Sequence, residues 1–243
     1  MSQITYREAL RMALQESMRE DSTIIVMGED VGLYGGAYGV TKGMIEEFGE
    51  KRILDTPISE EGIVGCAVGS AMTGLRPVVE LMYVDFVMLA MDQLANQAAK
   101  IRYMFGGQIS VPMVMRAQGG TGRSGAAQHS QSLEAWMMHT PGLNLAMPAT
   151  VTDAYLLLKH ALKLSDPVVF LEHKMLYTLK GELNKDDSLS WGQAAILRSG
   201  SDFTLITYSR MVHRALEAAE RLTKLGIQAE VIDLRTLYPL DTE

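Results

Sequence analysis

Short apolar segments alternate along the chain with longer amphipathic ones, and this order predicts strands that alternate with helices. Apolar runs of strand length occur at 23–27, 76–83, 111–115, 143–147 and 167–172. Helical periodicity lies between them, as in 85–102 and 152–164. The alternation predicts a parallel sheet that is covered by helices on both faces.

Capping and stop signals mark the ends of two predicted helices. Thr5 and Glu8 have the spacing of a capping box, which predicts a helix from there to about Glu20. A second helix at 41–48 is expected to end at Gly49, because glycine readily adopts the left-handed conformation of a helix C-terminus.

The regular alternation is interrupted at 180–190, a polar segment that we interpret as a linker. One more strand–helix–strand unit follows it, at 203–208, 212–225 and 229–233. A single unit of this kind is a poor domain by itself, so we expect an incomplete second domain. The predicted organisation is an α/β parallel-sheet domain, a linker and a truncated α/β domain, at 1–178, 179–195 and 196–243.

Composition and charge narrow the class of protein. Of the 243 residues, 47% are hydrophobic and 21% are charged, as is usual in globular proteins. The net charge of -7, with no basic stripe, argues against nucleic acid as a partner. No apolar run reaches the length of a membrane span, and the first residues lack a secretory signal. Because Cys66 is the single cysteine, no disulfide can form within the chain, and we expect a cytoplasmic protein.

The segment DTPISEEG at 55–62 places a carboxylate, Glu60, at the start of a glycine-rich helix. Each glycine in a helix costs about 1 kcal/mol relative to alanine. Glycines that recur on one face therefore indicate close packing there: Gly62, Gly65 and Gly69. A carboxylate at the head of a tightly docked helix suits proton transfer. Alternatively, Glu60 only complements the helix dipole, with Ser59 or Thr56 as the cap.

A second candidate is the glycine-rich loop at 117–128, which leads into His129. Long loops in compact domains are usually functional, and imidazole can act as an acid or base near neutral pH. The alternative is a surface histidine that caps the next helix. The other histidines fit structural roles better: His139, His160, His173 and His213.

Standard phosphate and metal motifs are missing from the sequence. The glycine loops lack Gly-x-x-x-x-Gly-Lys-Ser/Thr spacing, and the segment 28–39 does not match Gly-x-Gly-x-x-Gly. No group of His, Cys and Asp has zinc spacing. The residues alone therefore indicate no complete phosphate or metal site.

Five colinear motifs resemble one protein family: DTPISE at 55–60, GLRP at 74–77, DQLANQAAK at 92–100, AAQHSQ at 126–131 and PGL at 141–143. They are similar to the beta subunit of the thiamine-diphosphate-dependent first component of 2-oxo acid dehydrogenase complexes, which include pyruvate, branched-chain and acetoin dehydrogenases. The resemblance extends to 231–236. It implies a pyrimidine-binding α/β domain followed by a transketolase-type C-terminal domain, of which this sequence lacks the last part.

The resemblance also implies partners and a cofactor. Members of the family form an α2β2 heterotetramer with thiamine diphosphate at the α–β interfaces, and the alpha subunit holds the diphosphate and magnesium. That alpha-subunit motif, Gly-Asp-Gly…Asn, is absent here, so we expect this chain to be catalytically incomplete alone. A lipoyl-bearing acyltransferase component is the expected acceptor of the acyl group.

Site residues follow from the resemblance by position. Glu60 resembles the glutamate that hydrogen-bonds the aminopyrimidine and stabilises its imino tautomer, which then removes the thiazolium proton and creates the ylide nucleophile. His129 resembles the histidine of substrate protonation and acyl transfer. Contacts with the pyrimidine are implied for Ile58, Met82 and Phe86. A potassium ion is implied near the backbone carbonyls of Met113, Ala161, Leu162, Leu164 and Asp166.

Substrate choice depends on fewer residues. Phe86 stands where branched-chain enzymes have tyrosine, which favours a small substrate. The segments 102–107 and 172–177 are most similar to acetoin and bacterial pyruvate dehydrogenases. We therefore expect cleavage of pyruvate or acetoin, with transfer of the two-carbon acyl unit to a lipoyl domain. A branched-chain dehydrogenase beta subunit and a non-catalytic subunit of the same fold are the alternatives.

Overall fold

The computed structural model describes residues 3–123 and 125–243, and Ser124 of the predicted glycine loop lies outside the described residues. The first described elements are β1 (Gln3–Thr5) and α1 (Tyr6–Glu20). The Thr5 side chain accepts a hydrogen bond from the Glu8 backbone N–H, and the Glu8 carboxylate accepts one from the Thr5 backbone N–H. The predicted capping box and its helix are therefore confirmed.

The following elements alternate between strands and helices, as the hydrophobic pattern predicts. In chain order they are β2 (Ile24–Gly28), α2 (Met44–Phe48), β3 (Ile53–Asp55), α3 (Glu60–Met72), β4 (Arg76–Leu81), α4 (Val87–Met91), α5 (Ala99–Met104), β5 (Val114–Gly119), α6 (Glu134–Met138), β6 (Asn144–Ala146), α7 (Val151–Ala161) and β7 (Val168–His173). The last ones are β8 (Lys180–Glu182), β9 (Ala195–Arg198), β10 (Phe203–Thr207), α8 (Arg210–Thr223), β11 (Ala229–Asp233) and β12 (Thr236–Tyr238).

A seven-stranded sheet in the order β12-β6-β7-β5-β4-β2-β3 forms the centre of the fold. Its strands from β6 to β3 are parallel, and β12 is antiparallel to β6. Ile24 and Val26 of β2 join the core beneath α1 and α7, whereas Ile25 and Met27 join the core beneath α3 and α4. The predicted α/β fold, with a mainly parallel sheet covered on both faces, is confirmed.

The strand predicted at 111–115 lies farther along the chain, so residues 117–119 belong to β5 and not to a loop. The cause is a buried ion cluster. Arg116 is fully buried; its Nε and Nη2 donate to the Glu172 carboxylate at 2.7 and 2.8 Å, and its Nη1 donates to Glu80 at 2.7 Å. Because each charge has a partner, a polar segment can occupy the middle of the sheet.

The helix predicted at 85–102 is interrupted. It begins with a 3₁₀ turn at Val84–Phe86 and contains a π-helical segment, Asp92–Ala98, between α4 and α5. The hydrophobic period of these residues does not distinguish a π-helical turn from an α-helical one. Segments of this kind are frequent near functional sites, because they change the direction of the side chains that follow.

Part of the predicted linker forms a β-strand, β8. Residues of β8 pair antiparallel with β1, which joins Gln3 to Glu182. Beyond it, β10, β11 and β9 form a second sheet against α8, in which β9 is antiparallel. Neither β8 nor β9 was predicted, because their pairing partners are distant in the sequence. The domain division at 178 and 196 stays a prediction.

Among the described residues, no helix has the length and apolar character needed to cross a bilayer.

Candidate functional site

The candidate residues lie at one edge of the main sheet. Parallel strands present their carboxyl ends together, and in open α/β sheets ligands bind in the crevice at this edge. The side chains that follow the carboxyl ends of β2, β3, β4, β5 and β7 are Glu29, Glu60, Met82 with Phe86, His129 and Lys174.

Glu60 is the first residue of α3 and is only 6% exposed. The alternative caps do not operate, because Ser59 makes no side-chain capping bond and the Thr56 hydroxyl has no partner among the described residues. The Glu60 carboxylate accepts no hydrogen bond within that same part of the chain. It is therefore a buried carboxylate at a helix N-terminus, with its lone pairs free for a ligand.

A second carboxyl group, Glu29, lies close to Glu60 and was not identified from the sequence. It directly follows β2 and is 6% exposed, and its Oε1 has no partner among the described residues. Burial raises the pKa of the Glu29 carboxyl, and the nearby Glu60 carboxylate raises that pKa further. The signal for Glu29 in the sequence is the acidic pair Glu29 and Asp30, which interrupts the glycine-rich segment 28–39.

Glu29→Gln is expected to stabilise the chain at neutral pH, because it removes a carboxyl group whose pKa rises on folding. Below the ordinary glutamate pKa of 4.5, Glu29 is protonated in both the folded and the unfolded chain, and the substitution has little electrostatic effect. As the pH rises through the native pKa, the unfolded wild-type chain releases this proton more easily, and wild-type stability falls.

Thermal unfolding between about pH 4 and pH 8 tests this, since the gain in Tm of Glu29→Gln should increase with pH. Glu46→Gln, at an exposed position of α2, is the control and should show no such trend. A Tm difference that is independent of pH would show that Glu29 is not held at a raised pKa.

His129 ends a short 3₁₀ turn, Ala127–His129, and its ring packs against two aromatic rings. The ring centroids of Tyr83 and Phe86 lie 4.9 and 5.4 Å from that of His129, both in edge-to-face geometry. The N-cap of α6 is Leu133, so the alternative role of His129 as a helix cap is wrong.

The backbone around His129 is held from two sides. The Lys174 ammonium donates a short hydrogen bond to the His129 carbonyl. On the other side, Asp85 Oδ1 accepts from the backbone N–H groups of Ser130 and Gln131 at 3.1 Å each. These contacts fix the end of the glycine-rich loop and hence the position of the imidazole.

An open cavity of about 530 Å³ lies beside this histidine, and its lining is rich in basic and phenolic groups: Tyr38, Tyr83, Arg123, Gly125, His129 and Lys174. The hydroxyls of Tyr38 and Tyr83 are 3.2 Å apart. Burial and then the hydrogen bond with Tyr83 raise the pKa of Tyr38 to about 12, so it remains a protonated donor at neutral pH.

The three residues predicted to contact the pyrimidine are placed differently from one another. Phe86 contacts His129, and Met82 is half-buried at the end of β4. Ile58 lies in the segment before α3 and is 80% exposed. The structure thus brings Phe86 to the histidine, while Ile58 presents its side chain to the surface.

The predicted potassium site contains a cation of the chain itself. The carbonyl oxygens of Leu162 and Leu164 accept hydrogen bonds from Arg76 Nη1 at 3.0 and 2.9 Å, and the Asp166 carboxylate pairs with Arg102 at 2.6 Å. The carbonyls of the other two positions accept backbone hydrogen bonds, Met113 from Val168 and Ala161 from Leu164. Arg76 therefore contacts two of the five predicted ligand carbonyls, each of which has a second lone pair, and the potassium site stays a prediction.

Comparisons with known proteins agree with this fold. The family model "Transketolase, pyrimidine binding domain" matches residues 2–180, and "Transketolase, C-terminal domain" matches residues 192–243. A solved structure titled "Split gene transketolase, inactive beta4 tetramer" superimposes with a TM-score of 0.80. It is 24% identical and covers 98% of this chain and 73% of its own, a likeness that shows the fold alone.

The 2-oxoisovalerate dehydrogenase subunit beta of Bacillus subtilis (strain 168) is 50% identical over 100% of this chain and 75% of its own length. The chain belongs to the beta-subunit family of 2-oxo acid and acetoin dehydrogenases. Two further members are similar at 49% and 46% identity, each over 99% of this chain. They are the pyruvate dehydrogenase E1 component subunit beta of Rhizobium meliloti (strain 1021) and the acetoin:2,6-dichlorophenolindophenol oxidoreductase subunit beta of Cupriavidus necator, of which the chain spans 53% and 74%.

In this dehydrogenase beta subunit, Lys174 and Tyr83 line the cavity beside His129, and the sequence predicted neither of them. Each follows a parallel strand within two residues of its carboxyl end. For Lys174 and Tyr83, that position is the signal in the sequence, because ligands bind at the carboxyl edge of such a sheet.

Proposed function

We propose that this chain supplies the pyrimidine half of a thiamine diphosphate site that it shares with an alpha subunit. The observation that carries the proposal is the Glu60 carboxylate, which is buried at the head of α3 with no protein partner among the described residues. Glu29 Oε1 and the Thr56 hydroxyl are buried beside the same edge, also without partners in the described ranges. An aminopyrimidine, with ring nitrogens and an exocyclic amine, is complementary to such acceptors.

Bound thiamine diphosphate supplies a carbanion centre for cleavage of a bond next to a carbonyl, and the protein supplies binding and orientation. Glu60 holds a proton against the pyrimidine ring nitrogen, where a rigid and desolvated carboxyl group is most effective. The half-buried Met82 and Phe86 offer an apolar wall for a flat ring. His129 donates a proton to the oxygen of the substrate during acyl transfer, which imidazole can do at neutral pH.

The proposed reaction is cleavage of pyruvate or acetoin, followed by transfer of the two-carbon acyl unit to a lipoyl domain. The rings of Tyr83 and Phe86 pack against His129 and narrow the space at the imidazole, which favours a small substrate. A branched-chain 2-oxo acid is the second candidate, supported by the 50% identity with the 2-oxoisovalerate dehydrogenase subunit.

We further propose an α2β2 heterotetramer, with the lipoyl-bearing acyltransferase component as a second partner. The outer face of α3 supports a close protein contact, since Gly62, Cys66 and Gly69 are exposed along it. A Cβ atom built at Gly69 would meet no atom within 4 Å, which leaves room for a helix of another subunit. The buried stripe on the opposite side, Val64 and Val68, packs within this chain.

Magnesium is assigned to the alpha subunit in this proposal. Within residues 3–123 and 125–243, no group of three or more His, Cys, Asp or Glu side chains could hold a metal ion. We place the protein in the cytoplasm, because a chain with Cys66 as its single cysteine gains no internal disulfide from an oxidising compartment.

Calorimetric titration of the isolated chain tests the shared site. With magnesium present, we expect weak binding of thiamine diphosphate that does not depend on the metal, because this chain offers only contacts with the pyrimidine. Addition of the alpha subunit should convert this into tight, magnesium-dependent binding. Tight magnesium-dependent binding to the chain alone would contradict the proposal, since the diphosphate site would then lie within it.

A further inference from the structure

Lys174 is a buried cation without a counterion. It follows β7 directly and is only 3% exposed. Its Nζ donates to the His129 carbonyl and lies 5.9 Å from the centre of the Tyr83 ring. In the part of the chain that the structure describes, this ammonium forms no ion pair with a carboxylate.

This arrangement leaves binding capacity unused. An ammonium has three N–H donors, and the His129 carbonyl accepts from one of them. A buried charge is costly unless it is paired, and a carbonyl and an aromatic face compensate only part of that cost. The remaining donors lie at the wall of the cavity beside His129, where an anion could reach them.

The other charged side chain of the described cavity lining is also positive. Arg123 lines it as well, with its guanidinium 5.2 Å from the centre of the Tyr38 ring. No carboxylate is present among the described lining residues, although the whole chain carries a net charge of -7. A positively charged hollow in an acidic protein concentrates small anions.

We propose that Lys174, assisted by Arg123, binds the carboxylate of a 2-oxo acid substrate beside His129. The inference rests on the proposed function and extends it, because it assigns the substrate charge to a particular side chain. It favours pyruvate over acetoin, which carries no carboxylate. The Tyr38–Tyr83 pair adds hydroxyl donors on the same wall.

Lys174 is therefore expected to act on binding more than on the chemical step. During decarboxylation the carboxylate leaves as neutral carbon dioxide, and the bonding electron pair stays on the former carbonyl carbon. An ion pair with the carboxylate is strongest before this step, so it lowers KM and does not stabilise the transition state further.

A pair of pyruvate analogues separates charge recognition from every other effect. Methyl acetylphosphonate carries a negative charge where pyruvate has its carboxylate, and its dimethyl ester is neutral. In the assembled complex with cofactor, Lys174→Met should raise the inhibition constant of the anionic analogue roughly 10- to 100-fold, as loss of a hydrogen bond between charged groups would. The constant for the neutral ester should not change.

Three further variants complete the test. Lys174→Arg should restore most of the affinity for the anion, and Lys180→Met, at an exposed lysine of β8, should leave both constants unchanged. Arg123→Gln should raise the inhibition constant of the anionic analogue alone, by about two- to fivefold, as expected for an ion pair at an exposed site. Because Arg123 is exposed, that variant also tests the proposal if Lys174→Met does not assemble.

Equal losses of affinity for both analogues in Lys174→Met would overturn the inference, since Lys174 would then only hold the His129 backbone. Unchanged affinity for the anion in Lys174→Met and Arg123→Gln would overturn it too. A wild-type complex that binds neither analogue would contradict the proposed function itself, and the inference would fail with it. These outcomes separate an error in the assignment of Lys174 from an error about the cofactor chemistry.

Discussion

Glu60→Gln is expected to lower turnover of the assembled complex by about 10²- to 10⁴-fold, the usual contribution of a positioned acid or base. The amide has nearly the same shape as the carboxyl group, but it cannot hold a proton against the pyrimidine ring. Glu60 begins α3 and fills no apolar core, so the fold and the affinity for the alpha subunit should be retained. Steady-state turnover and thermal unfolding of the same preparation measure the two effects.

Glu61→Gln is the matched control for this experiment. Glu61 is the next residue of α3 and is exposed, so it shares the helix dipole but not the buried site. We expect activity within a few-fold of the wild type. If Glu60→Gln and Glu61→Gln were equally active, the role of Glu60 would be limited to the electrostatics of the helix terminus.

His129→Ala is expected to slow acyl transfer to a lipoyl domain by about 10²- to 10⁴-fold. The imidazole packs against Tyr83 and Phe86, and it can donate a proton to a developing alkoxide or thiolate. Cofactor binding should be unchanged, because the pyrimidine contacts are assigned to other side chains. Single-turnover acylation of an isolated lipoyl domain gives the rate.

His139→Ala provides the comparison, since this exposed histidine follows α6 and lies outside the cavity. Its acylation rate should equal that of the wild type. Unimpaired acyl transfer in His129→Ala would mean that His129 only packs against the two aromatic rings.

The regular parts of the fold could be predicted because local signals agree with the tertiary structure. The capping box of Thr5 and Glu8 opens α1, and the apolar runs become the parallel strands of the main sheet. The errors in the predicted strands come from interactions between residues that are distant in the sequence. β5 includes Arg116 because Glu80 and Glu172 neutralise it, and nothing in the neighbouring sequence reveals those partners.

The candidate site was predictable where a residue has a distinctive local setting. Glu60 stands at the head of a glycine-rich helix, and His129 ends a glycine loop. Lys174 has no such setting, and the local signal for Glu29 is only the acidic pair that it forms with Asp30. In the described structure Lys174 is buried without a carboxylate partner, and Glu29 Oε1 is buried without a hydrogen-bond partner. The contacts of Arg76 with the carbonyls of Leu162 and Leu164 were not predictable for a related reason, since they span a large sequence separation.

Exchange of the thiazolium C2 proton of bound thiamine diphosphate, followed by NMR in deuterated buffer, tests the central claim most directly. The claim is that Glu60 of this chain activates a cofactor whose diphosphate is held by the alpha subunit. In the assembled wild-type complex, we expect exchange much faster than in the free cofactor, and in Glu60→Gln a rate close to the free value. Near wild-type exchange in a fully assembled Glu60→Gln complex would contradict the account.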